Sequence, residues 1–334
     1  MTFDLKKVKS KDLTPLKKRI SVDKNYKKAY ELICSAYHIV IASHLNPDGD
    51  TLGSMLGLGI VLKKMGKKVT YFNCEKSLPK KFDFLPSYNK IKSTLPDSYE
   101  LFISVDAASF ERLGIKNKII TTSICFDHHK TNTNFCTINI INQNSISTSL
   151  VILDFLENFE FTITKESAIS LYTALVEDSG FFKFERVDSE TFKKAAKLVE
   201  LGANPSKISN FLTNRNSLAK IRLMQRYLQA LTLKQNGTIC ISKITLEDFE
   251  QTGAKKSDSD EFVNIGLSLA TVKLSIFCYE IDFENIKFSL RSKSDEIECS
   301  KIAENFGGGG HKRAAGFTAK INEYDDIIRL IVDG

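Results

Sequence analysis

Short blocks of consecutive apolar residues recur along the first two thirds of the chain, separated by segments with helical spacing. Ile39 to Ala42 is unbroken apolar sequence, the runs from Leu101 and around Ile124 are largely apolar, and Lys68 to Phe72 reads as a further strand. Runs this short without polar alternation are what a strand buried on both faces requires. Asn25 to Tyr37 and Leu52 to Met65 have helical spacing; Gly53, Gly57 and Gly59 predict close packing of the second helix on the sheet, and Gly66 closes it. Pro79, Pro86 and Pro96 punctuate an irregular connection before the Leu101 strand. Ser147 to Phe155, led by the hydroxyls of SISTS, opens as an N-capped helix, and Lys165 to Val176 and Ser189 to Leu201 follow, the last stopped by Gly202-Ala203-Asn204-Pro205. Strands alternating with helices in this way predict an α/β fold with a mostly parallel sheet and helices on both faces.

The pattern changes near residue 215. Leu218 to Leu233 is amphipathic and predicts a connecting helix over 216–234. Beyond it, strand-like runs (Thr238 to Ile244, Leu274 to Glu280, Ile286 to Arg291) alternate with helical ones (Phe262 to Leu269, Lys301 to Asn305), which predicts a second, smaller α/β domain over 235–334. The chain has no internal repeat, and its one low-complexity stretch is Gly307 to Gly310.

Composition narrows the class. At 334 residues two domains are the default, and 42% hydrophobic with 26% charged residues is ordinary for a soluble globular protein. The longest apolar stretch, near Leu52 to Leu62, is far short of the ~20 residues of a membrane span. The N-terminus is polar and lysine-rich, with no hydrophobic leader, so a cytoplasmic location is expected. Seven cysteines with no CxxC pair fit free thiols in a reducing compartment. The net charge of +7 is local: the first 30 residues hold ten Lys/Arg against three Asp/Glu, and the remainder hold 37 of each. The excess belongs to a basic extension over residues 1–25, so the high pI says little about any binding site.

Candidate chemistry gathers at the predicted strand ends. HLNPDGD (His44 to Asp50) follows the first strand, LFISVDAAS brings Asp106 to the end of another, and SICFDHHK ends a third in Asp127, His128 and His129. Three of only five histidines thus sit beside aspartates at strand tips. In open α/β sheets ligands bind outside the carboxyl ends of the strands, so these tips would converge on one crevice. Carboxylates suit hard divalent cations, and imidazole donors shift the preference from Mg²⁺ towards Mn²⁺. A plain turn at Pro47-Asp48-Gly49 with a solvated His44 is the competing reading of the first segment.

HLNPDGD, VDAASFERLG, FDHH and LYTALVEDSGFFKF, followed by GGGGHKRAAGF, resemble the motifs of the DHH phosphoesterase superfamily, and within it the DHH-DHHA1 group of oligoribonuclease and phosphoadenosine-phosphatase type. The resemblance covers the chain after about residue 30. It implies a catalytic DHH domain over 1–215, a substrate-binding DHHA1 domain over 235–334, and an active site in the cleft between them. It implies two divalent ions, Mn²⁺ foremost, with Asp106 bridging them, His44 and Asp48 completing one site, and Asp50, His128 and Asp178 the other. A hydroxide held between two such ions attacks phosphorus. Asp127 would orient a ligating imidazole. His129 would donate to a phosphate oxygen in the transition state, with a purely structural histidine as the competing reading. Glu177 precedes Asp178, so a shift of the ligand by one residue stands as an alternative; the family pattern, with its aspartate before a Ser/Thr-Gly pair, favours Asp178.

The glycine run adds a recognition element. Consecutive glycines let backbone amides approach an anion closely, so Gly308, Gly309 and Gly310, with His311, Arg313 and the upstream Arg291, are expected to form a substrate-binding loop; Arg112, inside VDAASFERLG, joins them. A flexible linker is the alternative. The resemblance implies hydrolysis of short oligoribonucleotides or of 3′-phosphoadenosine 5′-phosphate. Cyclic di-AMP or its linear product pApA is a rival substrate, a non-catalytic nucleotide- or RNA-binding regulator a rival class, and a homodimer through DHH-domain helices a further expectation.

Overall fold

In the computed structural model, which describes residues 24–116 and 121–333, the chain forms two compact units divided between Arg215 and Asn216. The basic extension expected at the N-terminus lies outside the described residues up to position 23. The first unit runs α1 (Lys24–Ser35), β1 (His38–Ala42), α2 (Gly49–Lys64), β2 (Lys68–Phe72), β3 (Ile91–Lys92), β4 (Leu101–Val105), β5 (Ser123–Asp127), β6 (Ile138–Ile141), α3 (Thr148–Asn158), α4 (Lys165–Asp178), α5 (Ser189–Glu200) and α6 (Pro205–Thr213). Its six strands are parallel, in the order β3-β2-β1-β4-β5-β6. Every residue of β1, β4 and β5 is buried, which is why their sequences are largely apolar, with Ser104 the one polar residue inside a strand and His38, Ser123 and Asp127 at strand ends. The strand order reverses between β1 and β4, so their carboxyl ends open the crevice at the switch point of the sheet.

Alternate residues divide the two faces of this sheet. Ile39, Ile41, Ile103 and Phe126 pack with the buried residues of the helices, whereas Val40, Ala42 and Phe102 pack with Ala107, Leu113, Phe110 and Phe135 from the connections. Strand–helix alternation does not reveal that connections close the second face.

The glycines of α2 serve a different neighbour from the one expected. A Cβ on Gly53 would lie 2.4 Å from the Ser170 carbonyl oxygen, and one on Gly57 would lie 2.7 Å from Leu171 Cγ, so both face α4; Gly59 alone faces the sheet, against Tyr71. Small residues let the two helix backbones approach closely, and Ser167 Oγ donates to the Gly57 carbonyl at 2.8 Å. The consequence is positional: α4 is pressed along α2 and ends at Asp178, beside the start of α2.

The second unit runs α7 (Leu218–Gln229), β7 (Thr232–Lys234), β8 (Ile239–Ile244), α8 (Leu246–Thr252), α9 (Phe262–Leu267), β9 (Leu274–Glu280), β10 (Asn285–Ser292), α10 (Cys299–Glu304), β11 (Gly309–His311), β12 (Ala314–Lys320) and α11 (Tyr324–Asp333). Its mixed sheet has the order β11-β12-β10-β9-β8-β7, with β8 and β9 parallel and the other neighbours antiparallel. Residues of α10 and α11 pack on one face with Ile276, Phe288 and Phe317, and residues of α7 and α9 pack on the other with Phe277 and Tyr279.

Two expectations need correction here. The helix predicted over Leu218 to Leu233 stops at Gln229, because Thr232 to Lys234 pair with β8 as an edge strand. The glycine run is not a free loop: Gly309, Gly310 and His311 pair antiparallel with Gly316, Ala315 and Ala314. A Cβ on Gly308 would lie 2.4 Å from both Gly316 O and Phe317 Cβ, so glycine is required there by packing. Among the described residues no helix is long and apolar enough to cross a membrane. All seven cysteines are free, and five of them are buried.

Candidate metal centre

The site is built from strand tips and helix ends of the first unit. After β1 the chain reaches His44, and Asp48 then caps α2, its Oδ1 accepting from Thr51 N at 3.0 Å. Asp50 sits in the first turn of that helix, fully buried. Asp106 follows β4 with φ of 57°, a left-handed conformation that is uncommon outside glycine and concentrates at functional sites. Asp127 ends β5, His128 and His129 follow it, and Asp178 ends α4.

Asp106 is the hub. Its Oδ2 lies 3.5 Å from His44 Nε2, and its Oδ1 lies 3.6 Å from His128 Nε2, so the two carboxylate oxygens face two different imidazoles. Asp48 Oδ1 is 3.8 Å from His44 Nε2, and Asp178 Oδ2 is 3.4 Å from His128 Nε2. Potential ligand atoms of His44, Asp48 and Asp106 lie within 4.8 Å of one another, and so do those of Asp50, His128 and Asp178.

Hydrogen bonds fix the imidazoles for this role. His44 Nδ1 lies 2.7 Å from the Leu45 carbonyl, and His128 Nδ1 lies 3.3 Å from the Ser145 carbonyl. A carbonyl only accepts, so each Nδ1 carries the proton and each Nε2 turns its lone pair towards the carboxylates. His129 differs, since its Nδ1 meets Asp127 Oδ1 at 2.7 Å. The expectation that Asp127 orients a ligating imidazole is therefore corrected: it holds His129, while His128 is held by the Ser145 carbonyl. Asn132 Nδ2 donates to the other Asp127 oxygen at 2.6 Å.

Asp50 meets the amino end of α3. Thr148 N and Ser149 N donate to its two oxygens at 2.7 and 3.1 Å, and Ser54 Oγ donates at 3.2 Å. These backbone donors and the helix dipole favour a carboxylate at that point. Thr148 Oγ1 donates to Asp106 Oδ1 at 2.9 Å, so one helix terminus fixes two carboxylates.

The electrostatics of the cluster follow from burial and crowding. Burial, then repulsion from neighbouring carboxylates, pushes Asp50 and Asp106 well above the ordinary carboxylate range. Burial and repulsion from Asp48 push Asp178 up to about 7. Burial and the nearby His129 lower His128 to about 4, and burial lowers His44, which keeps both imidazoles neutral and able to ligate. Asp178 Oδ2 is buried and accepts no hydrogen bond among the described residues. Crowded carboxylates, neutral imidazoles with free Nε2 atoms and an orphaned buried oxygen fit a hard divalent cation. His129 runs the other way: its hydrogen bond to Asp127 raises it towards the protonated form. Asp127 itself is lowered, because the bonds from His129 and Asn132 outweigh its burial.

The structure thus gathers His44, Asp48, Asp50, Asp106, Asp127, His128, His129 and Asp178. Glu177 does not compete with Asp178, since its carboxylate turns to Lys81 at 2.7 Å and to the place where a Gly49 side chain would be. Arg112 lies at the edge, with Nη2 3.4 Å from His44 Nδ1. The other expected substrate contacts belong to the second unit. Arg291 and His311 are both register partners of Ala314, so they share one face of that sheet two strands apart. Gly310 lies opposite Ala315, and Arg313 Nη2 is held by Asp295 at 2.5 Å. Thr148, Ser145, Asn132 and Arg186 were missed from sequence; only the SISTS cap gave a local signal, and it pointed to the helix rather than to its ligand.

Comparison with known proteins gives the same picture. The DHH family, N-terminal domain, matches residues 38–176, and the DHHA1 domain matches residues 236–333. The chain is similar to the bifunctional oligoribonuclease and PAP phosphatase NrnA of Thermus thermophilus, 29% identical over 299 residues that make up 88% of each chain. It is also similar to the Bacillus subtilis protein of that name, 27% identical over 88% of this chain and 93% of the relative. Among solved structures, an exopolyphosphatase-related protein from Bacteroides fragilis superposes with a TM-score of 0.85 at 27% identity, covering 92% of this chain and 95% of that one.

Proposed function

The chain belongs to the DHH-DHHA1 phosphoesterase family, and from that premise we propose that it is a divalent-metal-dependent hydrolase of short oligoribonucleotides and of 3′-phosphoadenosine 5′-phosphate. The observation that carries this reading is Asp106, whose two oxygens face the Nε2 atoms of His44 and His128 at 3.5 and 3.6 Å. We assign His44, Asp48 and Asp106 to one cation and Asp50, Asp106, His128 and Asp178 to a second, with Mn²⁺ favoured by the imidazole donors. When bound, such ions supply Lewis acidity towards a phosphoryl oxygen and a water acidic enough to attack at neutral pH.

The remaining steps fall to the protein. Asp127 holds the proton on His129 Nδ1, which leaves Nε2 as the atom able to donate to a phosphate oxygen. The hydrogen bond that raises His129 favours the charged form, the form that best steadies charge growing on that oxygen. Water's oxygen bonds to phosphorus, the P–O ester bond breaks, and the leaving oxygen takes a proton. In the second unit, Arg291 and His311 on one sheet face, with Gly308 to Gly310 beside them, are assigned to the nucleotide.

The test is product release by the purified chain with Mn²⁺ from 3′-phosphoadenosine 5′-phosphate, two- to five-residue RNA, pApA, cyclic di-AMP and pyrophosphate. Preference for short RNA and the bisphosphorylated nucleoside is expected. Preference for cyclic di-AMP would move the substrate to a second messenger, and binding of nucleotides without hydrolysis would replace the enzyme with a regulator.

A further inference from the structure

Immediately after Asp178 the backbone takes an unusual path. Gly180, Phe181 and Phe182 all have left-handed φ values, of 57°, 58° and 62°, a conformation that residues with a Cβ resist. The turn persists because it is held at several points. Phe181 N donates to Val176 O at 2.8 Å, Phe182 N to Ser179 Oγ at 3.1 Å, and Lys183 N and Phe184 N to Ser179 O at 3.0 and 3.2 Å. The Phe182 ring also stacks on Phe192 with centroids 5.3 Å apart.

This turn delivers Arg186 to the metal centre. Its Nη1 donates to the Gln143 and Ser145 carbonyls at 3.4 and 3.3 Å. The Ser145 carbonyl is the acceptor that also fixes His128 Nδ1. Arg186 is exposed, makes no ion pair with a carboxylate among the described residues, and hydrogen-bonds there through Nη1 alone. An arginine pinned by one nitrogen, with the rest of its planar fork free, is prearranged for a phosphate. Its position narrows which phosphate: Nη1 is anchored at the Ser145 carbonyl that His128 Nδ1 also meets, whereas His128 Nε2 is the atom that faces Asp106 and Asp178.

Resting on the phosphoesterase reading, we propose that Arg186 binds a substrate phosphate other than the one being cut, and so sets a preference for nucleotides that carry an additional phosphate.

The experiment compares kcat/KM for the dinucleotides pApA and ApA in wild type, Arg186→Ala and Arg186→Lys. Loss of a charge-assisted hydrogen bond is worth about tenfold or more. The wild type should favour pApA, and Arg186→Ala should lower the pApA/ApA ratio by about tenfold through KM, with Arg186→Lys recovering part of it. An unchanged ratio overturns the proposal. So does an equal loss on both dinucleotides with a raised metal requirement, which would make Arg186 a positioning residue for His128. If the wild type hydrolyses neither dinucleotide, the phosphoesterase reading falls and calorimetric binding of pApA decides. Binding about tenfold weaker in Arg186→Ala keeps the inference, and equal or undetectable binding overturns it.

Discussion

Replacing Asp106 with asparagine separates what this residue does for a metal from what it does for the fold. The backbone there is left-handed, with φ of 57°, a region that asparagine enters as readily as aspartate. The substitution therefore removes charge without adding strain, and the amide oxygen can still accept from Thr148 Oγ1. Burial and four neighbouring carboxylates, Asp50, Asp48, Asp178 and Asp127, hold Asp106 well above the ordinary range. In chelator the variant loses that repulsion and should melt at or above the wild-type Tm. With metal the order reverses. A cation at about 100 times its Kd stabilises by about 2.7 kcal/mol, which corresponds to roughly 5–10 °C in a unit of this size. The wild type should gain that shift, and the variant no more than about 2 °C, because one neutral oxygen replaces a carboxylate facing both imidazoles. Turnover should fall by at least ~10³, the equivalent of about 4 kcal/mol of lost charge stabilisation. Calorimetric melts with and without Mn²⁺, beside turnover of 3′-phosphoadenosine 5′-phosphate, make the test. Equal metal-induced shifts in the two proteins, or turnover within tenfold of wild type, would refute the reasoning.

Three further outcomes are expected. Gly53→Ala places a methyl group 2.4 Å from the Ser170 carbonyl oxygen. Overpacking of about 1–3 kcal/mol should outweigh the ~1 kcal/mol gain in helix propensity, lowering both Tm and turnover; an unchanged Tm would contradict the α2–α4 contact. Asp127→Asn leaves an oxygen that can accept from His129 Nδ1 but removes the negative charge that strengthens that bond and helps raise His129. A donor whose pKa is raised acts below that pKa and is lost as pH rises through it, so the alkaline limb of kcat/KM at saturating metal should move to lower pH; an unmoved limb would remove His129 from the proton-donating role. Arg291→Ala should raise KM by about tenfold with a smaller effect on kcat, and a fall in kcat at constant KM would instead place Arg291 on the transition state.

What the sequence disclosed follows from what each element demands. A strand buried on both faces favours apolar residues, with Ser104 as an exception inside β4, so β1, β4 and β5 stand out, and the polar residues that follow them stand out against them. His44, Asp48, Asp106, Asp127, His128 and His129 are legible for that reason, and Asp178 stands out where an apolar helical run ends. The contacts that hold them are not legible. The backbone amides of Thr148 and Ser149 reach Asp50 across 98 and 99 residues of sequence, and a backbone donor leaves no trace in residue identity. The same holds for the Ser145 carbonyl that fixes His128. The glycines of α2 announce close packing but not the partner, so α4 was mistaken for the sheet. Short edge strands escape notice too: β7 and β11 have three exposed residues each and no buried face to pattern them. Arg186 lies just beyond a recognisable motif and is brought in by a left-handed turn at two phenylalanines, a conformation that residue type does not foretell.

The most direct test of the metal-centred account is a titration of the chelator-stripped full chain with Mn²⁺, following bound metal and turnover of 3′-phosphoadenosine 5′-phosphate in the same samples. The account expects no turnover at the start and full turnover as the second equivalent of metal binds. Undiminished turnover in chelator, or saturation with metal at a single equivalent, would contradict it.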